Sequence, residues 1–467
     1  MPTSRSKIDM VSDDIKIKPL QRHKVCVIGA GMAGLASARE LRREGHGVTV
    51  LEQSGDVGGQ WLYDPRVDGD DLLGAAEPPV KVHGSMYASL RLISARENMG
   101  FTDFQFAPKD GLDGRRFPGH REVYLYLKDF CDAFGLMESV RLNTSVVRVA
   151  PAAGPTLRWT VRSVDLGKCD GDGAGEVEEE EVFDAVVVAN GHYSQPRLPS
   201  IPGMEAWRGR QVHSHSYREP EPFRGEVVVV VGCGESGKDI AMEVRRVAKE
   251  VHLVAKSMEE VTQGLAKVLA KHSASLHLQL HVERLCEDGR VVFGDGSTVL
   301  ADTIIYCTGY TRVPAVACPS LSFVGIPIKV FAPWFFEAQA KWVAQVLSGK
   351  RTLPPEEEMM RSVEEYYRAR EVAGAPKKYT HDVSLFDTTY IDEFASKYCD
   401  FPGVEKWRYE LLVSSFVNML DNLETFRDEY EDSDTIRKGV EEWHLSAQQA
   451  QAAATKKQSL GLLEHVE

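Results

Sequence analysis

The chain has 467 residues, more than one hydrophobic core usually supports, so two domains are expected. Its 43% hydrophobic and 27% charged residues fit a soluble globular protein, and 55 basic against 69 acidic side chains leave a formal charge of −14. A chain this negative is repelled by phosphate backbones and anionic lipid, so nucleic acid is not an expected partner.

Residues 1–22 are polar and mix both signs of charge, without the apolar run of a secretory signal. No window reaches the ~18 uncharged apolar residues that a membrane span requires. The eight cysteines (26, 131, 169, 233, 286, 307, 318 and 399) include no Cys-x2-Cys or Cys-x4-Cys spacing. They read as reduced, mostly buried thiols, and the sequence nominates no metal ligand. The expectation is a soluble, cytoplasmic protein.

Organised structure begins at Lys24. Residues 24–28 (KVCVI) form a continuous apolar strand, 32–44 an amphipathic helix with Leu35, Ala38 and Leu41 on one face, and 48–52 a second strand. The turn between strand and helix reads Gly29-Ala30-Gly31-Met32-Ala33-Gly34. Gly29 permits the tight turn, Gly31 lets backbone approach a pyrophosphate, and Gly34 lets helix lie against strand. The helix N-terminus offers N–H groups and partial positive charge to the phosphates. Glu52 stands twenty-three residues after Gly29, where its carboxylate can accept ribose hydroxyls and repel a 2′-phosphate. That predicts FAD or NAD in this lobe and not NADP.

Residues 170–181 (DGDGAGEVEEEE) have acids spaced somewhat like a calcium loop. Ala174 at the fifth position and strand-like flanks argue instead for a solvated hairpin loop. Strands are expected at 184–189 and 302–307, and they bracket a second strand–helix–strand unit at 226–231, 236–249 and 251–255. Its turn, Gly232-Cys233-Gly234-Glu235-Ser236-Gly237, repeats the three glycines. Lys256, twenty-four residues after Gly232, replaces the acid with a cation suited to a 2′-phosphate, so NADPH is expected here; a surface lysine is the bland alternative. The fold class is α/β, with two Rossmann-like dinucleotide-binding lobes and the NADPH lobe inserted into the FAD lobe. The boundaries read as 23–205 and 311–445 for the FAD domain, its second part mostly helical. Residues 206–310 form the insert, and 446–467 a polar C-terminal tail.

No cysteine pair stands ready for a disulfide reductase. Between the lobes lies Trp207, Gly209, His213 and Tyr217, a pattern that resembles the identifying motif of the flavin-containing monooxygenases. Tyr217, where related Baeyer–Villiger enzymes carry Trp, favours that family. The resemblance runs from about residue 24 to 445 and includes Gly58-Gly59-Gln60-Trp61, Tyr87–Arg91, Met99–Phe104, Asn190–Tyr193 and Cys307–Tyr310. Val324–Pro327 and Gln339–Trp342 are similar to the plant glucosinolate S-oxygenase-like branch. The resemblance implies that Gly59, Gln60 and Trp61 join the two Gly-rich turns in cofactor binding. It further implies that NADPH reduces FAD, O2 adds at the flavin C4a, and a small nucleophilic substrate, a thioether above all, is oxygenated. The cofactor carries the chemistry, so no catalytic acid or base is nominated, and His213 and His215 read as structural.

One departure stands out. Many members of the family carry Asn where this chain has Ile93 within Leu90–Glu97, and Ile cannot hydrogen-bond a flavin adduct. Ser94, Ser89 or water can substitute, or the enzyme leaks H2O2. One alternative is an amine N-oxygenase or indole-pyruvate-type oxygenase with the same cofactors and a different pocket; the other, which Ile93 favours, is an uncoupled NADPH oxidase or redox interaction module.

Overall fold

The computed structural model describes residues 21–75, 81–168, 178–311, 320–376, 380–383 and 392–464, with side chains through Gln449. The first lobe opens with β1 (Lys24–Ile28), α1 (Met32–Arg43) and β2 (Gly47–Leu51), as the hydrophobic pattern predicts. After α2 (His120–Ala133) come β3 (Val140–Arg141), β4 (Thr144–Pro151), β5 (Trp159–Asp165), β6 (Glu178–Phe183) and β7 (Ala185–Val188).

The chain then builds a second sheet from β8 (Arg210–His213), β9 (Val227–Val231), α3 (Glu235–Val244), β10 (Glu250–Ala255), α4 (Gln263–Lys271) and β11 (Leu276–Leu280). Next follow β12 (Val282–Leu285), β13 (Arg290–Phe293), β14 (Thr298–Leu300) and β15 (Thr303–Tyr306). A short β16 (Leu321–Phe323) returns to the first sheet, and the remainder is largely helical: α5 (Ala332–Leu347), α6 (Glu356–Val372), α7 (Lys406–Asp421) and α8 (Asp434–Glu464). Residues 446–464, within the expected polar tail, lie in α8.

The two parallel sheets have one plan. Their strand orders are β16-β7-β1-β2-β3 and β11-β10-β9-β15-β8, so each nucleotide turn leaves the middle strand. Each sheet has helices on one face and a three-stranded antiparallel meander on the other. Alternation along β1 shows why its run is wholly apolar: Val25 and Val27 pack toward α1 and α2, while Cys26 joins Trp159 and Phe183 of the β4–β6 meander. In β9, Val228 and Val230 meet α3 and α4, and Val227 and Val229 meet β12–β14. Because β16 pairs with β7, the second sheet is an insertion within the first.

Two other expectations need adjustment. The predicted helix 236–249 ends at Val244, where three-residue backbone bonds from Arg246 to Glu243 and from Val247 to Val244 tighten the chain into a turn. The run Glu178–Glu181 lies in strand β6, not in a loop. Its acids face cations on neighbouring strands, with Arg162 3.4 Å from Glu178 and Lys24 3.1 Å from Glu181. Residues 170–177, the remainder of the acidic loop, lie outside the described residues, as do Cys169, Cys318 and most of 1–22. The other six cysteines are free thiols, and burial pushes Cys26 and Cys131 up to about 12. Among the described residues no helix is long and apolar enough to cross a membrane.

Candidate functional site

Both Gly-rich turns have the same internal construction. Gly29 and Gly232 adopt φ of 101° and 116°, and a Cβ on either would sit 2.6 or 2.4 Å from a carbonyl oxygen, of Ala189 or Cys307. Gly34 and Gly237 lie so close to the turn that a Cβ would stand 1.9 or 1.8 Å from the carbonyl oxygen of Gly29 or Gly232. The fold itself demands these four glycines.

The middle glycine of each turn is different. Gly31 and Gly234 have φ of −77° and −76°, open to any residue. A Cβ on Gly234 would meet nothing within 4 Å, and one on Gly31 would just touch Gly59 Cα at 3.4 Å. Protein packing does not require glycine at either position. Each is also the N-cap of its helix, and neither helix has a side-chain cap, so the first N–H groups of α1 and α3 face the turn.

Glu52 follows β2 and is 5% exposed. Its Oε2 accepts the Ala30 N–H at 2.7 Å and its Oε1 the Ser54 N–H at 2.8 Å, so the carboxylate is fixed beside the turn with lone pairs to spare. Gly58 donates its N–H to the Ala30 carbonyl at 3.0 Å, and a Cβ on Gly59 would come within 2.7 Å of Gly31 Cα. That contact brings Gly59 against the first turn, and Gln60 and Trp61 follow it in a short helical turn. Met32 is buried in the core beside Ala30, and half-buried Ala33 packs against it.

At the second turn the strand end differs from its expected register. Gly29 donates its N–H to the Leu51 carbonyl and Gly232 to that of Val254, so Ala255 holds the position of Glu52 and Lys256 comes one residue later. The Lys256 side chain is exposed and has no ion-pair partner among the described residues; its N–H bonds Glu260 Oε2 at 2.9 Å. Lys238, one helical turn into α3, is buried and paired with Glu235 at 2.7 Å. Ser236 lies in the first turn of the same helix, and buried Cys233 has its thiol pushed up to about 11 by desolvation.

The lobes meet where the chain crosses between them. Arg197 donates its N–H to the Gly309 carbonyl and Thr311 donates to that of Gln195, both at 2.9 Å. Tyr310 packs edge-on to His213 and His215 there, with its hydroxyl pushed up to about 12 by burial. His213 is fully buried; burial first, and His215 second, depress its imidazole to about 4. His215 Nε2 lies 2.7 Å from the Val82 carbonyl. Both histidines are buried at this crossing between the lobes.

The motif around them is an anchor. Trp207 folds over Gly209, where a Cβ would clash with the indole at 2.2 Å. The Tyr217 hydroxyl donates to Glu243 at 2.8 Å and that of Tyr87 to Asp239 at 3.0 Å, one turn apart on α3. Tryptophan could not make the Tyr217 bond in that form, since it has no hydroxyl. Asp239 also pairs with Arg427 at 3.0 Å, and buried Arg218 donates to carbonyls of Asp64, Tyr217 and Gly84. The sequence reading missed Asp239, Glu243 and Arg218; the four-residue spacing of two acids on one helix was the available signal. Ile93 is 43% exposed, and its side chain brings no polar atom to the surface it occupies.

Residues 22–268 match the flavin-binding monooxygenase-like family. The chain is 51% identical over 454 residues to flavin-containing monooxygenase FMO GS-OX-like 9 of Arabidopsis thaliana, covering 91% of this chain and 96% of that one. It is 40% identical to FMO GS-OX2 of the same plant, again covering 91% and 96%. The structure of S-allyl-L-cysteine S-oxygenase from Allium sativum superposes with a TM-score of 0.82 at 39% identity, over 91% of this chain and 100% of that one.

Proposed function

The chain belongs to the flavin-binding monooxygenase-like family, and on that premise we propose that it is an FAD- and NADPH-dependent S-oxygenase of small thioethers. The observation that carries the cofactor assignment is the pair of middle glycines, Gly31 and Gly234, which the protein's own packing does not require. The thioether assignment is supported by similarity to the Allium S-oxygenase and the Arabidopsis relatives.

In this reading FAD lies against the first turn and NADPH against the second, with 23–205 and 311–445 serving FAD and 206–310 serving NADPH. When bound, the two cofactors supply the reducing equivalents and activate O2. The overall balance is thioether, O2, NADPH and a proton in; sulfoxide, water and NADP+ out. The α1 and α3 N-termini hold the pyrophosphates, and Glu52, fixed by the Ala30 and Ser54 N–H groups, orients the ribose of FAD. Lys256 pairs with the 2′-phosphate of NADPH. Tyr87 and Tyr217, bonded to Asp239 and Glu243, tie α3 to the Tyr87–Arg91 segment and to the motif between the lobes.

Exposed Ile93 favours a second reading, an NADPH oxidase that releases H2O2. The two separate on one measurement: NADPH consumed, sulfoxide formed and H2O2 released with an S-alkyl cysteine, compared with a tertiary amine. Close to one sulfoxide per NADPH supports the S-oxygenase. H2O2 equal to NADPH with every thioether overturns it, and preferential N-oxide formation replaces it with the amine oxygenase.

A further inference from the structure

Three ligand-type side chains meet on the second sheet, away from its nucleotide turn. β10 and β11 run parallel with His252 directly opposite His277, and Glu250 precedes His252 by two residues. Residues two apart project from the same face of a strand, so these three share one side. That side is the one covered by β12–β14, where the His252 ring lies over Phe293 at 6.1 Å and 4.9 Å from the His277 ring.

One ligand atom from each of the three lies within 4.8 Å of the other two. His252 Nε2 stands 3.5 Å from Glu250 Oε2. His252 is 7% exposed, and this Nε2 is shielded from solvent without a hydrogen-bond partner among the described residues. Leaving a buried polar atom unpaired is unfavourable, and this one points at a carboxylate and a second imidazole. The other ring nitrogen, Nδ1, lies 3.3 Å from the Gln279 side-chain amide nitrogen, and a flip of that amide exchanges its nitrogen and oxygen. With the amide oxygen turned toward it, Gln279 would accept the Nδ1 proton and leave Nε2 free to donate its lone pair, the arrangement that orients a metal-binding histidine.

We propose that Glu250, His252 and His277 bind a zinc-class divalent cation that clips the edge strand β11 to β10. Two imidazoles and one carboxylate form a donor set suited to zinc, with a water completing the tetrahedron. Metal–ligand bonds of ~2.0–2.1 Å place neighbouring ligand atoms about 3.3 Å apart, close to the Glu250–His252 separation. A side-chain shift of up to about 1.5 Å, available to half-buried His277, closes the rest. Roughly 13 Å of strand separates His252 from Lys256, so the cation sits apart from the cofactors and its role is structural.

The test uses the full-length, FAD-loaded protein after EDTA treatment, titrated with Zn2+ alone by calorimetry and with Co2+ as a spectroscopic stand-in. One equivalent of Zn2+ should bind with a Kd of about 1 µM or below, with ligand-field bands of four-coordinate Co2+ and a higher thermal midpoint. His277→Ala and Glu250→Gln should each weaken Zn2+ at least tenfold while flavin content and NADPH oxidation stay unchanged. If His277→Ala fails to fold, Glu250→Gln decides. Equal Zn2+ affinity in parent and variants, or no binding at about 100 µM Zn2+, overturns the proposal.

Discussion

The turns at Gly29–Gly34 and Gly232–Gly237 solve one backbone problem twice and part company at the end of the following strand. Both use a positive-φ glycine to leave the strand, and both lay a helix within van der Waals contact of it through the third glycine. After β2, however, the buried carboxylate of Glu52 is tied into the turn by the Ala30 and Ser54 N–H groups. In the second lobe the matching position is buried Ala255, the last residue of β10, and the charge that follows is the exposed cation of Lys256. On the proposed function, a shared scaffold would hold either dinucleotide, and the residues at the strand end would choose between ribose hydroxyls and a 2′-phosphate.

The largest effects should come from the glycines, and they split by position. Gly34→Ala and Gly237→Ala each put a methyl about 1.9 Å from a carbonyl oxygen, and both variants should fail to give stable protein. Gly31→Ala should fold and purify colourless. Gly234→Ala should fold, stay yellow, and lose roughly 100-fold or more in kcat/KM for NADPH, a deficit of about 2.7 kcal/mol. A fully yellow Gly31→Ala protein would remove the pyrophosphate from the first turn. A Gly234→Ala enzyme with unchanged kcat/KM would do the same for the second.

The outer strands give the next contrast. β16 and β8 hold equivalent places in the two sheets, but β8 ends in buried His213 and β16 in half-buried Phe323. His213 takes up a proton near 6.5 when unfolded and near 4 when folded. Between those values the unfolded chain binds more protons, so the neutral imidazole's stability is fully present above pH 6.5 and is lost as pH falls toward 4. By pH 5 the loss should be roughly 2 kcal/mol. In urea unfolding at pH 7.5 and pH 5, His213→Gln should show a pH-dependent drop smaller by about that amount, without a change in the pH profile of NADPH oxidation. A shifted activity profile would make His213 more than structural.

What could be read from sequence follows from where each signal is stored. Strands buried on both faces must be runs of Val, Ile and Cys, and a turn that touches phosphate must be glycine, so β1, β9 and both turns were legible. Residue counting alone sets Lys256 at the Glu52 position, whereas the backbone bond from Gly232 to Val254 puts Ala255 there, a register no side-chain pattern announces. The acids of β6 look like loop in isolation; their partners Arg162 and Lys24 come close only after strand pairing. Likewise, buried Arg39 donates to Glu337 from 298 residues away, and no local pattern announces such a pair. His252 and His277 are twenty-five residues apart and become neighbours through the β10–β11 register.

The smallest expected effect tests the strand ends themselves. Lys256→Ala should raise the KM for NADPH about tenfold, near 1.4 kcal/mol, as expected for an exposed ion pair formed with a doubly charged phosphate in partly screened surroundings. NADH lacks that phosphate, so its KM should stay where it was, and the NADPH preference should fall by the same factor. High salt should weaken NADPH binding to the parent enzyme and barely affect the variant. Equal changes for NADPH and NADH would make Lys256 an ordinary surface lysine, and the choice of nucleotide would then lie elsewhere around α3. The reciprocal change, Ala255→Glu, places an acid at the Glu52 register position of the second turn. If the strand-end comparison is right, that substitution should lower the NADPH:NADH ratio further than Lys256→Ala does, because it adds repulsion where the lysine variant only removes attraction.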